Sequence, residues 1–414
     1  MTDKPTSSPN TVVGKPDATG IYRHGFGLKS AVQDEIVSDY HGPIVEQLRN
    51  NDYTLQVGSL RLVLAREFGF CYGVDKAVDF AYQTRRMFPE RRVFLTTEII
   101  HNPGVNRRMR EMGIEFLHGQ YANGTTLDQL RPDDVVILPA FGASVAEVEQ
   151  LRQLGVTLVD TTCGSVVHVW KRVEKYAKDG FTAIIHGKYS HEETIGTSSR
   201  VTQYPGGRYL VVRDKAEADV VCNFIRGSVS AATISDKFSR ATSEGFEPTR
   251  DLQRVGVANQ TTMLSSESLE IADMLREAMI DRYGLDTVDD HFRNFDTICS
   301  ATQERQDAVH AMGSQKPDLI LVVGGFNSSN TTHLIEIAGH YAPAYHIEDA
   351  SYLVSPTQIR HKRWNSAETE ISENWLPTLP ATIGFTAGAS TPNKAVGEVI
   401  EKVMEFAGVL GPEF

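Results

Sequence analysis

An α/β fold of three similar units, each built on mainly parallel strands, is what this sequence predicts, and three observations carry that prediction. From Arg61 onward, short apolar runs alternate with turns containing Gly, Ser or Thr and then with helix-period segments, the pattern of strand–helix–strand repeats. Three of the four cysteines occupy one local context: a strand-like segment ends at the cysteine, one or two small residues follow, and an amphipathic helix begins. The intervals from Cys71 to Cys163 and from Cys163 to Cys299 are each the length of a small α/β domain.

Taken in order, residues 1–60 form an expected extension. Its start, MTDKPTSSPNTVVGKPD, is rich in Pro, Ser and Thr, and a helix is expected around Ala31 to Asn50, interrupted at Gly42-Pro43. It holds none of the motifs described below, so deleting about the first 50 residues is expected to leave the chemistry intact. The first unit, 61–163, carries the strand candidates LVLA, VFLTTEII, VVILPAF and VTLVDT. The second, 164–298, carries TAIIHG, YLVV and VGVAN and is lengthened by an insertion around 223–250. The third, 299–392, carries LILVVGG and IGFTAG, and 393–414 form a helix and tail. Pro392 is expected at the first helical position, where its missing N–H is no loss. Cys222, in ADVVCNFIRGS, lacks the helix-opening context and is expected as a strand or loop hydrophobe.

The composition is that of a globular chain: 414 residues, 41% hydrophobic and 23% charged, with a net charge of −12. The negative excess argues against a nucleic-acid or anionic-membrane partner, so an anionic substrate must be met by a local site. No run of about 18 apolar residues exists and the N-terminus has no apolar signal core, so a cytoplasmic location without a membrane span is expected. In that compartment disulfides are not expected, and CxxC pairs are absent.

The cysteine context carries chemistry. A helix N-terminus offers unpaired N–H groups and partial positive charge, which lower a thiol pKa and favour the thiolate that a metal needs. Three thiolates gathered at Cys71, Cys163 and Cys299 suit an iron–sulfur cluster with one iron left without a protein ligand. Three buried small residues, or a zinc site completed by a His, satisfy the same spacing.

Three strand-to-helix turns, ANQTTMLS (258–265), GGFNSSNTTHL (324–334) and GASTPNKAV (388–396), combine Gly with Ser, Thr and Asn. Glycine admits close backbone approach, while hydroxyls and amides either cap the helix or donate to phosphate oxygens. None contains the GxxxxGK[ST] loop. His101, in TTEIIHNPGVN, and His186, His191, Glu192 and Glu193, in IIHGKYSHEETIGT, follow strands, on the rim where α/β proteins build their sites. Imidazole beside carboxylate can bind an anion and pass protons, though solvated or capping roles use the same residues.

FCYGV, HNPGVN, DTTC, the stretch from His186 to Glu193, NQTT, DTICSATQERQ, NSSN and TAGAS occur in this order. Together they resemble the 4-hydroxy-3-methylbut-2-enyl diphosphate reductase family, the terminal enzymes of the methylerythritol phosphate route to isoprenoids, over about Arg61 to Phe406. The resemblance implies three pseudo-symmetric units around one [4Fe-4S] cluster per chain, held by Cys71, Cys163 and Cys299, with one iron not ligated by protein. It implies reductive removal of the substrate hydroxyl as water, giving isopentenyl and dimethylallyl diphosphate, with a ferredoxin-type donor. It further implies that His101, His191, Ser328, Ser329, Asn330 and Ser390 hold the diphosphate. Glu193 is the implied proton donor, relayed through Thr261 or Thr262 with help from Thr302. One departure is PAFGAS, where Phe141 replaces a second diphosphate-binding His of many bacterial members and cannot donate a hydrogen bond. That form, with the long N-terminus and the insertion, resembles the plant and cyanobacterial branch. Lys188 beside His191 is a candidate compensating cation or a plain surface lysine.

An iron–sulfur electron carrier or redox sensor is the alternative, and a three-Cys hydro-lyase a further one. A carrier has no use for an open iron or an anion cradle, and a hydro-lyase has none for net reduction.

Overall fold

A computed structural model describes residues 14–409 apart from Asp296 and Ala367. The start of the extension, the end of the C-terminal tail and the Asp of DTIC therefore lie outside the described residues. Three sheets organise the rest. The first has five strands in the order Ile21–Tyr22, Thr157–Asp160, Val135–Leu138, Val93–Leu95 and Ile114–Phe116, parallel throughout. The second, also parallel, runs Phe292–Asn294, Val255–Asn259, Thr182–His186 and Tyr209–Val212. The third has a parallel centre, Ala344–Ile347, Leu319–Val323, Ala381–Ala387 and Leu60–Leu64. Thr54–Val57 adds an antiparallel edge, and Leu353–Ser355, Gln358–Lys362 and Thr369–Glu373 form an antiparallel group at the other side.

All nine apolar runs singled out in the sequence contain strands, because a parallel strand covered by helices on both faces must be apolar along its length. VVIL, TAIIH, VGVAN and LILVV are buried at every residue. The additional strands are short or lie at edges, where half the residues meet water: Thr369–Glu373 is exposed at alternate positions. Among the described residues no helix is long and apolar enough to cross a membrane.

Sheet membership differs from the linear division at residue 61. Leu60–Leu64, expected to open the first unit, pairs with Ala381–Ala387 in the third sheet, because Leu60, Leu62 and Leu64 pack into the core of Ile383 and Phe385. The extension is likewise woven in. Its helices are Lys29–Tyr40 and Pro43–Asn50, broken at Gly42-Pro43 as expected. Phe26 joins the core of the first sheet, and Ile44, Val45 and Leu48 join that of the third, all at 0% exposure. Uncovering these four side chains would cost about 6–12 kcal/mol, comparable to the whole net stability of a domain. The expectation that about 50 residues can be removed without consequence is corrected on that ground.

Cys222 is also corrected: it lies in the helix Lys215–Ile225, fully buried, so its apolar role stands while its strand or loop setting does not. The insertion folds as helices Ala231–Lys237 and Pro248–Asp251. Pro392 is the residue capping Asn393–Phe406, one position before the helix rather than its first residue.

Candidate active site

Cys71, Cys163 and Cys299 are the N-cap residues of the helices Tyr72–Met87, Gly164–Lys178 and Ser300–Gly313. Each has extended backbone, and all three thiols face one cavity that they line together. Gly73 makes their approach possible: a Cβ there would collide with Cys163 Sγ. Ser165 Oγ lies 3.4 Å from Cys299 Sγ. A single tetrahedral zinc would hold its thiolates about 3.8 Å apart at Zn–S near 2.3 Å. Among the described residues, the groups with three ligand atoms within 4.8 Å of one another do not include these cysteines. The donor set therefore fits a polynuclear cluster better than one ion. Burial pushes the Cys71 thiol pKa up, opposed by a backbone hydrogen bond at Val74 and by the charge of Arg305. Arg305 is 3% exposed and donates to the carbonyls of Gly69 (3.2 and 2.7 Å) and Ala301 (2.8 Å), placing a buried cation behind the thiols. The sequence reading assigned no role to Arg305, although it stands in the DTICSATQERQ stretch.

Glu193 enters from the second unit, early in the helix Glu192–Val201, and is 2% exposed. The Thr261 N–H donates to one of its oxygens (2.6 Å) and the Thr261 hydroxyl to the other (2.9 Å). Burial outweighs those bonds and raises its pKa to about 7, so the carboxyl can hold a proton near neutrality and release it. The Thr302 hydroxyl donates to the Thr261 carbonyl (3.0 Å), and the Gln260 amide to Thr262 Oγ1 (2.8 Å).

Hydrogen bonds assign the histidine tautomers. His191 caps its helix, accepting the Glu193 N–H at Nδ1 (3.1 Å), so its proton is on Nε2. That proton points to His101 Nε2 (3.2 Å), which places the His101 proton on Nδ1, directed at Glu98 Oε2 (3.0 Å). Burial alone would raise the Glu98 pKa, but hydrogen bonds from His101, Gln120 and Asn327 outweigh it and hold the carboxylate ionised. Burial, then the nearby His101 and Lys188, lower the His191 pKa to about 3 and keep it neutral. Phe141 stacks on His101 with ring centroids 4.7 Å apart and planes 11° apart. In place of a donor it contributes a fixed wall.

The third unit supplies the helix start Ser329–Ala338. Ser328 Oγ accepts from Thr331 N–H (3.3 Å), and Ser329 Oγ accepts from Gln260 (3.3 Å), leaving both hydroxyl protons available. Asn330, 1% exposed, accepts the Ala389 N–H (2.9 Å) through Oδ1, while its Nδ2 has no partner. An unmet buried donor costs about 1–3 kcal/mol, which an anionic ligand would recover. Ser390 donates to the His101 carbonyl (3.1 Å). The cavity is lined by each of the thirteen residues expected from the sequence, with Ile100, Ala140, Val166 and Ala301 as apolar wall. Lys188 is exposed and does not line it.

Fold and site define an α/β protein in which three units each turn one cysteine toward a shared cavity that also holds a buried acid and hydroxyl and amide donors. The chain belongs to the LytB protein family, whose pattern matches residues 62–404. It is 48% identical over 390 residues to the 4-hydroxy-3-methylbut-2-enyl diphosphate reductase of Thermosynechococcus vestitus, covering 94% of this chain and 95% of that one. The enzyme of the same name from Gloeobacter violaceus is 47% identical over 392 residues, covering 94% and 93%. Among solved structures, an (E)-4-hydroxy-3-methyl-but-2-enyl diphosphate reductase superposes with a TM-score of 0.52 at 24% identity, covering 83% of this chain and 99% of that one. The E-1-hydroxy-2-methyl-but-2-enyl-4-diphosphate reductase from Plasmodium falciparum gives 0.61 at 20%, covering 83% and 87%. These two likenesses speak to the fold. Membership of the family implies an iron–sulfur cluster.

Proposed function

We infer that the chain reduces (E)-4-hydroxy-3-methylbut-2-enyl diphosphate to isopentenyl and dimethylallyl diphosphate, the last step of the methylerythritol phosphate pathway, with a ferredoxin-type donor in the cytoplasm. The observation that carries this reading is one cavity lined by three cysteine thiols, the buried acid Glu193 and the unpartnered amide of Asn330. An iron–sulfur carrier or sensor has use for the thiols but none for the acid and the amide.

Each turnover takes up two electrons and two protons and releases one water. Cys71, Cys163 and Cys299 would hold one [4Fe-4S] cluster, which supplies single electrons and an iron without a protein ligand. The chain's own groups do the rest. Asn330 Nδ2, the Ser328 and Ser329 hydroxyls and the free N–H groups of their helix start meet the diphosphate, and Ser390 turns its hydroxyl toward it. His191 redirects its Nε2–H from His101 to a phosphate oxygen. His101 keeps its Nδ1–H on the Glu98 carboxylate, which fixes the orientation of its ring. Glu193 holds the proton for the leaving hydroxyl and passes it through the Thr261 hydroxyl, while Thr302 holds the Thr261 peptide and Thr262 keeps its own hydroxyl proton available. Phe141 and the apolar wall exclude water, which strengthens each of these interactions.

An anaerobic assay of cluster-loaded protein with the hydroxylated diphosphate and a small chemical reductant, read by mass spectrometry, tests this. Both C5 alkenyl diphosphates at repeated turnover support it; a fully loaded protein that forms neither product rejects it.

A further inference from the structure

We propose that the groove beside the Cys163 helix is the docking surface for an acidic, one-electron carrier protein. The inference rests on the reductase reading above, which requires electrons from outside the chain.

Arg23, Lys76, His168, Lys171 and Arg200 line this groove; Arg23 is paired both with Asp160 (3.1 Å), the one acid among the lining residues, and with Asp17, so Lys76, Lys171 and Arg200 carry its positive charge. In a chain of net charge −12, such a concentration of cations is local and opposes the general repulsion an acidic partner would meet. Thr162 and Gly164, the two neighbours of Cys163, also line it, so a protein seated there abuts the backbone on both sides of a proposed cluster ligand.

The floor of the groove carries a further cation. Trp170, 8% exposed, lines the groove with its indole N–H unpartnered. The Arg200 guanidinium stacks on that ring at 3.9 Å, and its Nε–H is unpartnered as well. The stacked pair sets a fixed guanidinium charge into the floor of the groove, where it adds to the positive potential an acidic partner meets.

The neighbouring cysteine helix continues the surface. Tyr72, next to Cys71, is 85% exposed, and Lys76 follows one turn later on the same helix face. On the Cys163 helix the exposed His168 and Lys171 stand three residues apart and also share a face. The helices that present thiols at their N-termini thus present cations and a large aromatic outward, the composition of an interface anchor with a charged rim. A reduced carrier docks, gives one electron to the centre at Cys71, Cys163 and Cys299, and leaves oxidised. A second docking delivers the second electron, and with two protons one substrate becomes one alkenyl diphosphate and one water.

The test uses the cluster-loaded enzyme and the double variant Lys76→Glu, Lys171→Glu, with an acidic [2Fe-2S] ferredoxin as the probe carrier and reduced methyl viologen as a small reductant. At low salt the variant should lose about tenfold or more in kcat/KM for the ferredoxin, mostly through KM, and rising salt should weaken the wild type far more than the variant. Viologen-driven turnover and iron content should match wild type. Independently of activity, carbodiimide should couple ferredoxin carboxylates to Lys76 or Lys171, and calorimetric binding should weaken in the variant. Unchanged ferredoxin kcat/KM, coupling only at other lysines, or coupling to a second copy of this chain would overturn the proposal. If wild type makes no product with either reductant, the reductase reading fails, while coupling and calorimetry still decide the groove.

Discussion

Replacing Glu193 by Gln preserves the shape of the side chain and removes its ionisable proton. Burial raises the Glu193 pKa from 4.5 to about 7, which corresponds to about 3 kcal/mol against the charged form. Because the folded value lies above the unfolded one, the penalty is absent below pH 4.5, grows as pH rises through the window to about 7, and is complete above it. The Gln variant carries no such penalty, and the other titrating groups contribute equally to both proteins, so the stability of the variant relative to wild type should rise by up to about 3 kcal/mol between pH 5 and pH 8, read from urea unfolding. Catalytically, removing a positioned general acid should lower kcat by about 100-fold to 10,000-fold. The single-proton fall of wild-type kcat above pH 7 should disappear, and KM should stay near the wild-type value, since the diphosphate contacts are untouched. The assay is kcat from pH 5.5 to 9 with a small chemical reductant, with iron content as control. A variant that turns over at the wild-type rate, or that slows but keeps the alkaline fall, would refute the assignment of the proton to Glu193.

Other perturbations separate the remaining roles. Serine at Cys71, Cys163 or Cys299 should abolish iron loading and activity, while Cys222→Ser, in a fully buried helix position outside the cavity, should keep both; iron analysis and visible absorption decide. Gly73→Ala should reduce cluster loading without unfolding the protein, because its methyl would occupy the space of Cys163 Sγ, and iron content beside circular dichroism reads this. Asn330→Ala removes a donor aimed at a charged group, worth about 1.5–3 kcal/mol, so substrate affinity should fall roughly 10-fold to 150-fold at unchanged iron content. Deleting residues 1–50 should abolish cooperative folding, as measured by thermal unfolding, since Phe26, Ile44, Val45 and Leu48 complete two cores.

Local signals made much of this legible. A strand end, a cysteine, a small residue and a helix start are consecutive in the chain, so Cys71, Cys163 and Cys299 were readable as N-caps and Cys222 as different. Buried parallel strands announce themselves as apolar runs for the same reason. Cys222 was misplaced because a helix packed on a sheet can carry a valine-rich face, and VVC without its partners reads equally as strand. The histidine tautomers, by contrast, depend on the contact between His101 and His191, which lie 90 residues apart, with Asn327 reaching the Glu98 that holds His101 from a third segment.

By itself the sequence determined which residue types were available for the chemistry, the order of their motifs, the three-unit α/β class and the family resemblance, because each is written in short contiguous stretches. The tertiary structure alone decided that Leu60–Leu64 belongs with Ala381–Ala387, that the N-terminal segment is core, and that Arg305 stands behind the thiols. It also decided that burial raises Glu193 and lowers His191, and that Trp170 and Arg200 share an unsatisfied groove. Strand pairing, desolvation and unmet hydrogen bonds are properties of groups distant in sequence brought together, so no local stretch encodes them on its own.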